Sequence, residues 1–342
     1  MEGLFFNVDH GYVEALVRGY KNGLLSNTHY VNLSQCDSLD DLKLQLSATD
    51  YGNLLADCPT LSTSLIESKL NGALVSQVSY IRSQATDPLS GFLDYMSFGY
   101  MIDNVALMIT GTIHNRDRNE ILRKCNPLGW FETLPTLSIA SDLDSLYETV
   151  LIDTPLAKYF TNCLSIDDLD DLNIEIIRNC LYKEYLEDFY NYAQTLPEPS
   201  NEIMQNLLSF EADKRAINIV LNSIDSALTP ADKEKMLPTI GSLADPALRY
   251  HLTTSTDLEN LKMTIQSVGS YKSLFDDSSS LEDKLYEYEM GLCKDAFTQQ
   301  FTISTVWAWV KSKEQEVRNI TWIAECIAQG QMDRVGNYIS VY

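Results

Sequence analysis

The acidic string from Asp167 to Asp171, which reads Asp-Asp-Leu-Asp-Asp, has the clearest potential for chemistry in this chain. Hard cations prefer clustered carboxylate oxygens, so a DDxxD string in a helical protein could hold Mg²⁺ on a substrate diphosphate. The same acids follow Ser165 closely, and negative charge in the first turns of a helix is stabilised by the helix dipole. The string therefore predicts either the magnesium site of a diphosphate-using enzyme or a capped helix start.

The rest of the sequence favours the capped helix. The chain contains no second metal-binding string of the NDxxSxxxE type, and the neighbourhood of Asp167 is poor in the basic residues that would neutralise a diphosphate. Neither a phosphate-binding glycine loop nor a GxSxG nucleophile elbow is present. The four histidines lack the spacing of a zinc site and are isolated at His10, His29, His114 and His251. We expect no catalytic residue, no metal and no cofactor.

A second set of polar residues interrupts otherwise apolar helical faces. Buried polar groups must be paired, so these residues are predicted to form helix-to-helix hydrogen bonds and ion pairs, with a ligand site as the alternative. The predicted polar core comprises Asp103, Asn104, Arg178, Asn179, Asn218, Glu316, Arg318 and Asn319.

The seven cysteines are scattered along the chain without a CxxC pair. An odd number of scattered cysteines is typical of reduced thiols in the cytosol. Cys36 precedes the first repeat helix described below and Cys326 lies in the last long helix, so closure of the fold could bring them together. The sequence favours free thiols and leaves a Cys36–Cys326 pair as the alternative.

The elements that position these residues are predicted to be helices. Apolar residues recur with helical spacing nearly everywhere and never alternate as in a strand, which predicts an all-α protein. Thr229-Pro230 is typical of a helix start with Pro at its first position. The two longest helices are expected at about residues 165–193 and 303–330.

One pattern occurs three times, at Asp37, Ser141 and Thr256: a helix-capping residue, then Leu, an acid, a second Leu three residues after the first, and an aliphatic residue four later. An Asn flanked by aliphatic residues follows late in each unit. The simplest interpretation is three divergent helical-bundle repeats, at 1–125, 126–235 and 236–342, around a pseudo-threefold axis.

Composition excludes several partners. The chain of 342 residues has a formal net charge of −23, which repels nucleic-acid phosphates and anionic lipid headgroups. Its longest uncharged apolar stretch is far shorter than the roughly 20 residues that span a bilayer, and its N-terminus lacks the features of a signal peptide. We expect a protein that binds neither nucleic acid nor bare lipid.

Long strings along the whole chain resemble the d-subunit family of the V-type proton ATPase, and its fungal members in particular. Departures are local, with Val317, Thr302 and Gly336 standing where the family usually has Cys, His and an acid. The matching strings are Phe6–Tyr12, Glu14–Leu25, Asn32–Cys36, Thr49–Asn53, Gly99–Asn104, Asp153–Ala157, Asn173–Asn179, Tyr185–Tyr190, Phe210–Asp213, Lys313–Glu316 and Trp322–Ile327.

This resemblance implies a non-catalytic, funnel-shaped or cup-shaped helical subunit on the cytoplasmic face of the vacuolar or endosomal membrane. It would be a peripheral part of the membrane sector, next to subunit a, and would couple the central-stalk subunits D and F to the proteolipid ring during ATP-driven proton transport. Two alternatives stay open at this point: a free-standing helical adaptor and the DDxxD enzyme.

Overall fold

The computed structural model describes residues 2–114, 116–137, 154–163, 171–224, 226–275 and 280–342, and every regular element in these ranges is a helix. The predicted all-α class is confirmed. The α-helices are α1 (Glu2–Asp9), α2 (Gly11–Asn22), α3 (Asn27–Ser34), α4 (Leu39–Leu46), α5 (Gly52–Ala56), α6 (Thr63–Gln84), α7 (Leu89–Ile113), α8 (Arg118–Lys124), α9 (Leu134–Leu137), α10 (Ala157–Cys163), α11 (Asp171–Gln194), α12 (Ser200–Ser223), α13 (Pro230–Met236), α14 (Pro246–Thr254), α15 (Leu258–Gln266), α16 (Leu281–Ala296) and α17 (Ser304–Gln329). Short 3₁₀ turns lie at Pro127–Gly129, Ser242–Ala244 and Gly269–Phe275.

The chain forms two compact units. The first contains residues 1–90, 197–203 and 277–342, and the second contains 91–196 and 204–276. The three-repeat division at 125/126 and 235/236, with its pseudo-threefold axis, stays a prediction.

The first unit is built around α17, which packs against α6, α16, α2, α4 and α3. This helix ends where Gly330 takes a left-handed conformation, with φ +68°, and its amide bonds to the carbonyls of Cys326 and Ile327. Glycine suits this position because it has no Cβ to clash. The chain then turns back, and Val335, Ile339 and Val341 are buried against the unit.

In the second unit, α11 packs against α10 and α13, and the chain continues through successive contacts of α13 with α14 and of α14 with α15. Thr229 caps α13 through its hydroxyl, which accepts a hydrogen bond from the Asp232 amide, and Pro230 is the first helical residue. The predicted start of this helix is confirmed.

Two of the three predicted repeat starts lie in the described ranges, and both are shifted by one residue. Ser38, not Asp37, caps α4 by accepting from the Asp41 amide at 3.1 Å. Asp257, not Thr256, caps α15 by accepting from the Asn260 amide at 2.8 Å. The predicted capping residues were wrong because the adjacent residue also carries a capping oxygen, and only the backbone path decides between them.

The apolar stripes that follow these caps are as predicted: Leu42, Leu46, Leu261 and Ile265 are all buried. The third start, at Ser141, lies outside the described residues. So do Asp167 to Asp170 of the acidic string, while Asp171 is the first residue of α11.

No helix within the described residues is long and apolar enough to cross a membrane.

Candidate functional site: a buried polar framework

Among the residues that the structure describes, the most buried charged pair lies in the middle of α17. Glu316 is 0% exposed and Lys313, one turn earlier, is 2% exposed, and their charged atoms are 2.9 Å apart. The other partners come from distant parts of the sequence. The Tyr51 hydroxyl donates to Glu316 Oε1 at 2.6 Å, and the Leu25 amide donates to Oε2.

This arrangement satisfies the carboxylate on both of its oxygens. Burial, followed by the nearby Glu316 charge, raises the pKa of Tyr51 well above its ordinary value, so its hydroxyl stays protonated and donates. The Lys313 ammonium also lies 4.2 Å from the centroid of the Tyr51 ring, a cation–π contact. Glu316 therefore fixes the loop before α3 and the start of α5 against α17.

One turn after Glu316, the buried carboxamide of Asn319 holds the tail that follows α17. Its Nδ2 donates to the Ile339 carbonyl at 2.6 Å, and its Oδ1 accepts from the Ile339 amide at 3.2 Å. Tyr338 stacks on Tyr30 with ring centroids 5.0 Å apart. The Asn319 carboxamide thus bonds to the backbone of Ile339 as the backbone of a neighbouring strand would in a β-sheet.

In the second unit, Asn104 on α7 likewise binds the backbone of a later segment of the chain. It is 2% exposed, and its Nδ2 donates to the carbonyls of Asn126 at 2.9 Å and Gly129 at 3.0 Å. Its Oδ1 accepts from the Asn126 amide at 2.7 Å. In both cases a buried asparagine in a long helix binds the backbone of a segment about twenty residues later.

Asp103 and Arg178 form the predicted helix-to-helix ion pair between α7 and α11, with Arg178 Nη2 2.8 Å from Asp103 Oδ1. Their side chains are 42% and 36% exposed, so the expectation of burial was wrong for this pair. Burial alone would lower the pKa of Arg178, but the charge and hydrogen bond of Asp103 outweigh it and raise that pKa. The neighbouring Asn179 accepts from Arg215 Nη1 at 3.3 Å.

Two predicted members do not join the framework. Arg318 is exposed; it donates to Gln315 on its own helix and lies over the Tyr286 ring at 4.1 Å, while Lys313 takes the role opposite Glu316. Asn218 is half-buried and makes no side-chain hydrogen bond to another described residue. An aliphatic-flanked asparagine in the sequence is therefore not sufficient for an anchoring role.

Sequence reasoning missed Asp213 on α12, which is 1% exposed. Its carboxylate accepts from the amides of Ser242 at 2.8 Å and Leu243 at 2.9 Å, and from the Tyr271 hydroxyl at 2.6 Å. Gly241 precedes this turn with φ +98°, and a Cβ there would collide with the Asp213 carboxylate. Asp213 lies between Glu211 and Lys214 in a charged segment, so the local sequence gave no signal that its carboxylate is buried.

Burial raises the pKa of Asp213 from 3.8 to about 6, although its three hydrogen-bond donors oppose the shift. The folded state therefore binds this proton more tightly than the unfolded state, so the contribution of Asp213 to stability falls as pH rises from about 4 to about 6. An Asp213→Asn variant lacks this titration. Its unfolding free energy relative to the wild type should rise by roughly 2 kcal/mol between pH 4 and pH 7 in urea titrations.

The same substitution at the exposed Asp333 is the control for the loss of a carboxylate at the surface. A change of opposite sign for Asp213→Asn would mean that the three donors outweigh burial.

Cys36 and Cys326 are both free, buried thiols in the hydrophobic cluster around α17. Burial raises the pKa of each thiol, with nearby acids as smaller causes, which disfavours the reactive thiolate. The preference for free thiols over a Cys36–Cys326 disulfide in the cell stays a prediction.

Chemically, the framework consists of buried polar side chains whose hydrogen bonds attach loops to long helices. In the part of the chain that the structure describes, no three His, Cys, Asp or Glu side chains are grouped so that they could hold a metal ion. The carboxylates of Glu316 and Asp213 instead each accept on both oxygens from three donors of their own unit. Such groups fix loops to long helices.

Comparison with known proteins identifies the chain. Residues 13–338 match the family model of the ATP synthase (C/AC39) subunit. The chain belongs to the ATP synthase (C/AC39) subunit family. Members of this family that it resembles include the V-type proton ATPase subunit d of Saccharomyces cerevisiae, 60% identical over the full length of both chains, and that of Neurospora crassa, 51% identical over the full length of both.

A more distant relative outside the fungi is the V-type proton ATPase subunit d of Dictyostelium discoideum, 47% identical over 99% of this chain and 97% of that protein. The resemblance drawn from the sequence strings is thereby confirmed.

Proposed function

We propose that the chain is the d subunit of a V-type proton ATPase, a non-catalytic and peripheral part of the membrane sector. The observation that carries this proposal is the 60% identity with the yeast protein of that name over the whole of both chains. In this role it couples the central-stalk subunits D and F to the proteolipid ring, lies next to subunit a, and is needed for assembly and ATP-driven proton transport.

The buried framework supports a mechanical role. A coupling subunit must transmit torque without yielding, and that requires loops which do not move independently of the helices. Glu316, Asn319, Asn104 and Asp213 each bond the backbone of a distant loop to a long helix. Each such anchor is fully or almost fully buried, where hydrogen bonds do not compete with water.

Charge supports attachment to the membrane through proteins rather than lipid. A net charge of −23 is repelled by the anionic cytoplasmic leaflet. The proposed location is the cytoplasmic face of the vacuolar or endosomal membrane, held there by the proteolipid ring.

Complementation of yeast cells that lack their own d subunit tests the proposal. The chain should restore acidification of the vacuole and ATP-driven proton transport by isolated vacuolar vesicles, and it should co-purify with proteolipid and stalk subunits in fixed proportion. Cells with an empty vector provide the baseline. A folded, expressed chain that restores no transport and purifies with other partners would instead be a helical adaptor.

The acidic string separates the proposal from the enzyme alternative. An Asp168→Asn, Asp171→Asn double variant should support near-normal transport in the same cells, because a helix start tolerates the loss of two charges at a cost of about 1 kcal/mol. Complete loss of transport by a double variant that still assembles would favour a magnesium-binding role.

A further inference from the structure

Lys158 on α10 places its ammonium among three aromatic rings and one carboxylate of the second unit. Its Nζ lies 4.8 Å from the ring centroid of Tyr159, 5.1 Å from that of Tyr95 and 5.4 Å from that of Phe98. Asp188 on α11 completes the group, with Oδ2 2.6 Å from Nζ. We call these four partners of Lys158 the ammonium cage.

The cage is held in shape by contacts that do not involve the lysine. Tyr95 stacks on Phe189 at 5.2 Å and on Tyr192 at 4.5 Å, and its edge meets Phe98 at 5.5 Å. The Tyr159 hydroxyl donates to Asp188 Oδ2 at 2.8 Å. The Tyr95 and Phe98 rings on α7 therefore stay in position if Lys158 changes.

The chemistry of the cage selects a cation. Aromatic rings attract a positive group through their negative faces, and several rings around one centre are the usual receptor for alkylated ammonium groups. Burial, then the Asp188 charge, raises the pKa of Tyr95 to about 12, so its ring carries a neutral hydroxyl at physiological pH. The lysine side chain is still 49% exposed, which leaves Nζ within reach of a modifying enzyme.

We propose that this cage is an ammonium-recognition site closed by the protein's own Lys158, and that Lys158 is a modification-sensitive latch for α10. Methylation leaves the latch closed and acylation opens it. The reason is charge: the Lys158 cation adds its attraction to the contacts that Tyr159 makes with α7 and α11, and only a modification that removes the cation removes that attraction.

The two modifications differ in what becomes of the positive charge. In methylation the free amine attacks the methyl carbon of a sulfonium donor; an N–C bond forms, the S–C bond breaks and a thioether leaves, so the nitrogen becomes a charged alkylammonium. In acylation the free amine attacks the carbonyl of a thioester; an N–C bond forms, the C–S bond breaks, the thiolate leaves and the nitrogen loses a proton to solvent. The product is a neutral amide.

Hydrogen–deuterium exchange tests the latch on full-length protein that carries Nε-acetyl-lysine or Nε,Nε-dimethyl-lysine at position 158. The acetylated protein should exchange the amides of residues 159–163 about tenfold faster than the unmodified protein. The dimethylated protein should stay within about twofold, because it keeps the charge. A Phe98→Leu variant, which removes one wall, should give an intermediate increase.

Lys124 is the matched control in the same unit. It pairs with Glu120 at the same 2.6 Å and is 54% exposed, but it has no ring contact among the described residues. Acetylation there should leave exchange of residues 159–163 unchanged. The proposal is overturned if acetylation of Lys158 changes exchange less than about twofold, or if dimethylation accelerates it as much as acetylation does, since N–H donors and not charge would then hold the helix.

Discussion

Replacement of Glu316 by Gln should lower the free energy of unfolding by about 3 to 5 kcal/mol. The substitution keeps the shape of the side chain but leaves the ammonium of Lys313, which is 2% exposed, without an opposite charge. The Tyr51 hydroxyl and Leu25 amide would compete for one carbonyl oxygen in place of two carboxylate oxygens. Urea unfolding followed by tryptophan fluorescence measures the effect, because three of the four tryptophans lie on α17.

The control pair is Glu259 and Lys262, which has the same three-residue spacing and a similar distance of 3.1 Å but a glutamate side chain that is 78% exposed. Glu259→Gln should cost less than about 0.5 kcal/mol. A Glu316→Leu, Lys313→Met double variant should be more stable than Glu316→Gln, because no buried charge is left unpaired. A Glu316→Gln variant with wild-type stability would contradict the structural role given to this pair.

Deletion of residues 335–342 should destabilise the first unit by about 5 kcal/mol. The deletion removes the buried side chains of Val335, Ile339 and Val341, and it leaves the carboxamide of Asn319 without its two backbone partners. It also removes Tyr342, whose ring lies 4.4 Å from the ammonium of Lys21. Thermal unfolding of the truncated and complete chains gives the comparison.

Point substitutions separate the contribution of burial from that of chain length. Ile339→Ala should cost about 2 to 4 kcal/mol, whereas Ala at the exposed Asn337 should change stability by less than about 0.5 kcal/mol. If the truncated chain unfolds at the wild-type temperature, then the tail is not part of the folded unit.

Much of the local structure followed from the sequence. The helical spacing of apolar residues predicted the fold class, and the two long helices expected at about 165–193 and 303–330 correspond to Asp171–Gln194 and Ser304–Gln329. The starts of α4, α13 and α15 were predicted to within one residue, because capping depends on side chains that are adjacent in sequence. Long strings over the whole chain were enough to predict the family.

The partners of the polar residues depended on the tertiary structure. Lys313 is near Glu316 in sequence, but Tyr51 and Leu25 are 265 and 291 residues away from it, and no helical period relates such positions. For the same reason Asn104 and Asn319 became anchors while Asn218 did not: an asparagine binds a loop only where that loop passes within hydrogen-bond distance.

The ammonium cage and the carboxylate of Asp213 show most clearly which contacts could not be predicted from the sequence. Only Tyr159 among the partners of Lys158 is adjacent to it in sequence, whereas Tyr95 and Phe98 come from α7 and Asp188 comes from α11. The sequence by itself determined which segments are helical, which faces are apolar and to which family the chain belongs, since these depend on periodicity and on extended strings. The tertiary structure alone decided which charges are buried and what satisfies them, since burial and hydrogen bonding depend on distances between residues far apart in the chain.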